Sequence, residues 1–378
     1  MPSIDSERTG AGVSTATAET GIRVLFDIGH PAQVHLFRNA IAILESRGHE
    51  TFVTSREKEV TLDLLDAYDI PHTSLSTRGN SFPELVWELL TREVRLLSVA
   101  RTFQPDVIVS RLGPVPAHVS RLVGCRNVAV SDTHIDKRAL RALYHGITLP
   151  FVDTICAPES FELSIDDRKR RPMDFQELAY LHPQYFDPDL TALDRYGIDA
   201  TKTYFVVRVA GWDAYHDVGY TGISPNGLQQ LVAMLSERGR VFISSEGELP
   251  PELAEYELPT APEDIHHVLY YADLYVGDSG TMSTEAAMLG TPAIRTNTMV
   301  GDGDENVFRQ LEERYGLLRS YADENDALRA VEQLLAQDSD LVDWHRRRER
   351  LIAEQPDVTR QMVETILETE PENDTDEE

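Results

Sequence analysis

The stretch Tyr275-Val-Gly-Asp-Ser-Gly-Thr-Met-Ser-Thr-Glu-Ala-Ala-Met-Leu-Gly-Thr-Pro-Ala-Ile294 holds a complete structural unit in twenty residues. A buried strand is expected to end at Val276. Gly277, Asp278, Ser279 and Gly280 then make a turn, and a helix starts near Thr281 with Ala286, Ala287 and Leu289 packed inward. Gly290 stops that helix and Pro292 opens the next strand. Strand, glycine-bounded turn, helix and strand in this order build a parallel sheet covered by helices. The turn also has a chemical reading. A helix start presents unpaired backbone N–H groups and the positive end of the macrodipole. Here it is surrounded by small, mostly hydroxyl-bearing residues, and Gly280 lets a ligand approach the backbone; these are the requirements of a pyrophosphate site. Capping by Asp278 or Ser279 accounts for one polar residue but not for the whole cluster. Glu285, about one turn on, can accept two hydrogen bonds from a ribose diol.

The same grammar runs outward in both directions. Upstream, Arg23-Val-Leu-Phe-Asp27 is an apolar strand followed by Gly29. A helix over 33–47 with Val34, Phe37, Ile41 and Leu44 on one face leads to a strand at 51–54. Further strands are expected at 106–110, 128–131 and 154–157. The segment 160–190, with DDRKRRP ending in Pro172 and then Pro183 and Pro188, breaks the rhythm and is expected to join two domains. Strands then recur at 204–209, 240–244, 274–276 and 292–295, with helices at 227–238 and 327–336 and a charged helix over about 340–368. The expected fold class is α/β, with two Rossmann-like domains facing across a cleft. Residues 1–21 read as a disordered leader, 22–180 as the N-terminal domain and 181–350 as the C-terminal domain. Residues 351–378 read as a closing helix and an acidic disordered tail.

Composition bounds the function. Sixty-four acidic residues face 35 basic ones, a formal net charge of −29, and only four of the basic residues are lysines. Acid-rich, lysine-poor surfaces suit concentrated salt, where a Debye length of about 3 Å screens self-repulsion; the chain reads as halophilic. Such acidity argues against a nucleic-acid partner. Cys125 and Cys156 lack ligand spacing and read as small core residues. With no run of 18 apolar residues and no signal peptide, a cytoplasmic location is expected, with peripheral membrane contact still open.

The segment Asp278-Ser-Gly-Thr, three residues, Glu285 resembles the nucleotide-binding signature of UDP-N-acetylglucosamine epimerases and GT-B glycosyltransferases, with Thr281 where the epimerases carry a second glycine. The resemblance implies that Ser279, Gly280 and Thr281 hold a diphosphate and Glu285 the ribose. Phe26-Asp-Ile-Gly-His-Pro-Ala-Gln-Val-His-Leu-Phe37 and Arg47-Gly-His-Glu50 are similar to the first loop and helix end of GT-B enzymes. The peptidoglycan glycosyltransferase family implies His30 as a candidate base. From about 22 to 350 the chain also resembles an archaeal domain-of-unknown-function family, number 354, described as predicted glycosyltransferases. The first domain would then face an acceptor and the second the nucleotide.

Other candidates follow from position in cleft loops. Arg208 ends a strand and can neutralise phosphate; the loop after it carries Trp212, His216 and Asp217, and His216 can reach a sugar. Asp132 and His134 follow strand 128–131 and can serve as acid or base. Gly301-Asp-Gly-Asp-Glu-Asn306 reads as a solvated turn, so no metal is expected. No organic cofactor is expected either. The leading expectation is a glycosyltransferase that takes a nucleotide-diphosphate sugar, UDP-linked by the resemblance, and a hydroxyl acceptor on a glycan or lipid carrier. The alternatives are a UDP-N-acetylhexosamine 2-epimerase and a non-catalytic scaffold.

Overall fold

A computed structural model describes residues 21–58, 60–77, 82–131, 138–161, 163, 165–210, 222–301, 306–336 and 341–368. Asp132, His134, Trp212, His216, Asp217, the carboxylates at 302–305, and the leader and tail outside 21–368 lie outside these residues. The first sheet contains β1 (Arg23–Ile28), β2 (Glu50–Glu57), β3 (His72–Thr77), β4 (Val107–Arg111), β5 (Arg126–Val130), β6 (Thr154–Ala157) and β7 (Arg170–Pro172). They lie in the order β3-β2-β1-β4-β5-β6-β7, and every pairing is parallel. The second sheet contains β8 (Tyr204–Val209), β9 (Arg240–Ser245), β10 (Leu274–Gly277), β11 (Ala293–Thr296) and β12 (Arg319–Tyr321), ordered β12-β11-β10-β8-β9 and again wholly parallel.

Central strands of such sheets are covered on both faces, which is why β1, β4, β8 and β10 read as continuous apolar runs rather than alternating ones. In both sheets the order reverses beside the first strand of the half, β1 next to β4 and β8 next to β10. At such a switch the loops beyond the carboxyl ends diverge and leave a crevice. β1 leads to helix Pro31–Ser46 and β10 to helix Gly280–Leu289, so both helix starts lie at switch points.

Three strands depart from the sequence expectation. β3, β7 and β12 are edge strands with little apolar signal; β7 is the basic run Arg170-Arg-Pro172. Part of the segment expected to join the domains is therefore the seventh strand of the first sheet. Its Arg170 side chain donates to the carbonyls of Pro158, Glu159 and Phe161. The expected helix over 340–368 is two helices, Leu341–Glu354 and Val358–Leu367, because Pro356 cannot continue the first.

That break turns the chain back. Arg347 and Arg348 bind the carbonyls of Gly316 and Met288 in the second half. The last helix packs on the first half: Arg126 donates to the carbonyls of Thr365 and Ile366, and Val358, Met362, Val363 and Ile366 share a core with Phe37, Leu44 and Val130. Burial pushes the Cys156 thiol up to about 12, as for a core residue rather than a reactive one. Asp357 starts this helix. Its carboxylate accepts from the Arg360 amide at 2.9 Å and from the Tyr185 hydroxyl at 2.7 Å. Asp357→Ala removes a cap and a tyrosine partner together, and is expected to cost about 1–2 kcal/mol in denaturant unfolding.

Candidate functional site

The turn after β10 is held from below. A Cβ on Gly277 would stand 2.3 Å from the Tyr275 hydroxyl and 2.9 Å from the Arg208 Cβ, so only glycine fits there. Asp278 is 1% exposed, and its two oxygens accept from the Ala210 amide at 2.7 Å and the Ile223 amide at 3.1 Å. Its carbonyl accepts from the Asn297 side chain at 2.9 Å. Asp278, expected among the ligand-binding residues, thus positions the turn and has both oxygens engaged with backbone amides.

Above this base the helix start opens outward. Ser279 caps it, with its hydroxyl accepting from the Met282 amide at 3.4 Å, a long and weak bond. The hydroxyls of Ser283 and Thr284 turn back onto the carbonyls of Ser279 and Gly280. Ser279 and Gly280 are half-buried and Thr281 is exposed. Among the described residues, the amides of Gly280 and Thr281 donate no hydrogen bond within the protein. Two free donors at the positive end of a helix of ten residues are what an anion binds.

Two arginines flank Gly277 in register, Arg208 on β8 and Arg295 on β11. Arg208 reaches sideways, to the Ser244 hydroxyl at 2.8 Å and to Glu246 at 2.5 Å. Arg295 is 2% exposed and lies 3.5 Å over the Phe308 ring, on whose edge Gly280 sits. Sequence reading found Arg208 and missed Arg295. The available signal was an arginine in the otherwise apolar strand Ala293–Thr296, a position that buries a charge only for a reason.

Glu285 is not part of the open surface. It is 5% exposed; Oε1 accepts from the Tyr180 hydroxyl at 2.8 Å and lies 3.1 Å from His266 Nε2, off the axis of a good N–H···O bond. His266 meets His35 with ring centroids 4.7 Å apart, and Tyr180 meets both rings. His35 Nδ1 in turn lies 3.2 Å from the Tyr68 hydroxyl. This cluster bridges the two halves. The sequence does not mark out His266, Tyr180 and His35 as a group, because their neighbours come from distant segments.

In the first half, His30 is the N-cap of helix Pro31–Ser46. Its Nδ1 accepts from the Ala32 amide at 3.2 Å, while Gln33 accepts from the Gly29 amide at 2.7 Å. A neutral imidazole that accepts at Nδ1 carries its proton on Nε2. To act as a base, His30 must first release that amide. Behind the loop, Asp27 at the end of β1 is buried against Arg92 at 2.7 Å and Thr54 at 2.8 Å. No three His, Cys, Asp or Glu side chains gather to hold a metal among the described residues.

The sequence profile of the family described as a protein of unknown function, DUF354, matches residues 22–369. An uncharacterized protein of Methanocaldococcus jannaschii is 24% identical over 285 residues, which is 72% of this chain and 80% of that one. Among solved structures, UDP-GlcNAc 2-epimerase from Neisseria meningitidis bound to UDP-GlcNAc superposes with a TM-score of 0.60 at 13% identity, over 92% of this chain and 100% of its own. Spinosyn forosaminyltransferase superposes with a TM-score of 0.62 at 18% identity, over 92% of this chain and 100% of its own. These likenesses establish the GT-B fold, built here on two parallel sheets.

The bridging cluster makes stability depend on pH. Burial, then His266 and Arg38, hold the His35 imidazole well below 6.5. The unfolded chain therefore takes up the proton first. The stability is fully present above about pH 6.5 and is lost as pH falls below it. Melting temperature is expected to drop between pH 7 and 5.5, and His35→Phe, which keeps the ring packing, to flatten that slope.

Proposed function

This chain belongs to DUF354, a family described only as of unknown function, and we propose that its members of this type are glycosyltransferases using a nucleotide-diphosphate sugar. One observation carries the reading: the outward amides of Gly280 and Thr281 stand at a helix start, at the switch point of the second sheet in a GT-B fold. Negative charge grows on the leaving diphosphate as the glycosidic bond breaks. The two amides, the helix dipole and the nearby Arg208 and Arg295 stabilise that charge more in the transition state than in the ground state. Thr281 can add its hydroxyl, and Ser279 orients the first turn. In this reading the ribose lies towards Glu285. That residue is buried and its Oε1 is held by Tyr180, so a ribose hydroxyl reaches Oε2 only if the contact between the halves opens.

His30 faces the acceptor side in this scheme, and the hydroxyl acceptor belongs to a glycan or a lipid carrier. If an acceptor hydroxyl displaces the Ala32 amide from Nδ1, that nitrogen can take the hydroxyl proton as the sugar transfers. His216 and Asp132 remain candidates for contacting the sugar and moving protons. Closure of the halves would exclude water and limit donor hydrolysis. The second reading, epimerisation of a UDP-N-acetylhexosamine at C2, is favoured by the Asp278 to Glu285 spacing.

A panel of UDP-, GDP- and dTDP-sugars separates these readings. Transferase chemistry is expected to appear as a rise in melting temperature with one base and slow release of its diphosphate without acceptor; interconversion of two nucleotide sugars instead establishes the epimerase. No thermal shift with any nucleotide removes both. Ser279→Glu with Thr281→Glu is expected to abolish nucleotide binding while the fold is retained, since Thr281 is exposed and the cap bond of half-buried Ser279 is long and weak. His30→Gln separates base from cap. A base predicts a loss of about 10²–10⁴-fold in turnover with nucleotide affinity unchanged. A cap alone predicts about 1 kcal/mol of lost stability and normal turnover.

A further inference from the structure

Exposed apolar side chains concentrate on one side of the first domain. Trp87, Leu90 and Val94 are 72%, 55% and 68% exposed and recur at i, i+3 and i+7 on helix Phe82–Phe103. They form one stripe. The opposite stripe of that helix, Glu88, Arg92, Leu96 and Ala100, is the buried one. Helix Arg138–Thr148 repeats the device: Leu140, Leu143 and Ile147 have the same spacing and are 38%, 62% and 42% exposed. Between them, Leu122 near the end of helix Pro114–Val123 is 61% exposed.

His118 on the middle helix ties the three together. Its Nδ1 lies 3.3 Å from Glu93 of the first helix. Its Nε2 lies 2.8 Å from the Ile147 carbonyl of the third, and its ring meets Phe151 edge-on at 4.9 Å. The stripes therefore adjoin as one face. A single exposed leucine needs no explanation, but a contiguous apolar face marks a contact surface.

Charge identifies the partner. The chain as a whole carries −29, yet residues 82–151, which span the three helices, hold nine Arg and Lys against six Asp and Glu. Arg95, Arg101 and Arg121 on these helices are exposed. Helix Arg138–Thr148 contains no acidic residue. We propose that this face docks the protein onto an anionic lipid surface. Trp87, Val94 and Leu143 enter the headgroup–acyl boundary, and the arginines meet the negative headgroups. A second copy of the chain is a poorer fit, because a two-fold contact would set this basic face against itself. Among the described residues no helix is long and apolar enough to cross a membrane, so the contact is a peripheral one. It stands apart from the reaction proposed above.

The test is co-sedimentation of the full chain with phosphatidylglycerol–phosphatidylcholine vesicles and with phosphatidylcholine vesicles, alongside light-scattering mass of the free protein. Binding to the anionic vesicles alone is expected. Val94→Asp with Leu143→Asp should reduce partitioning about tenfold or more. Arg121→Glu, at an exposed position that should not disturb folding, is expected to weaken it by a smaller factor. Circular dichroism melts of the variants should match the unsubstituted chain; if the double variant unfolds, Arg121→Glu decides alone. The proposal is overturned by absence of binding to anionic vesicles, by equal binding to neutral ones, or by binding that the folded variants leave unchanged. It is equally overturned by a free-protein dimer that the double variant converts to monomer, which would assign the face to a second copy.

Discussion

Two hydrogen bonds from backbone amides to the carboxylate of Asp278 hold the second domain's functional end together. Ala210 follows β8 and Ile223 precedes helix Pro225–Ser236, so one buried side chain fixes both flanks of the segment between them against the turn after β10. A carboxylate buried without partners would be costly; with two amide donors it becomes a rigid joint. Asn297, after β11, closes the other side by binding the Asp278 carbonyl. Three strand ends thus converge on one residue. The helix start above it is pre-set, and its free amides point at a fixed place rather than at an average of many.

A polar joint of rings and one carboxylate is set into the largely aliphatic core that runs through both halves. Tyr180 sits in the short helix Leu178–Leu181 and joins Glu285 to the first domain through His35 and His266. The joint's hydrogen-bonded polar tips fix a preferred registry within that core. Glu285 belongs both to the helix that starts at Gly280 and to this joint.

Much of this was legible in the residues. The α/β class, the strands β6 and β8 to their ends, and the turn at Gly277–Gly280 follow from apolar runs and glycines, which act locally. The edge strands β3, β7 and β12 were not legible, because a strand such as Arg170-Arg-Pro172 is strand only by virtue of its neighbour. The same limit applies to the site. Ser279, Gly280 and Thr281 announce themselves by composition, whereas the engagement of Asp278 and Glu285 depends on partners 55 to 105 residues away. A motif shows which atoms are available in principle; tertiary packing decides which of them are already in use.

The closing helix, Val358–Leu367, has a consequence for how the chain comes into being. It completes a core whose walls include Phe37, Leu44 and Val130, residues made more than two hundred positions earlier. During synthesis the N-terminal half therefore waits, with an apolar seam open, until residues 358–367 leave the ribosome. Contacts of such long sequence separation form late and slowly, and nascent chains in that state are prone to stick to one another. For this protein, dense negative charge on the waiting chain would keep those unfinished molecules apart until the seam is sealed.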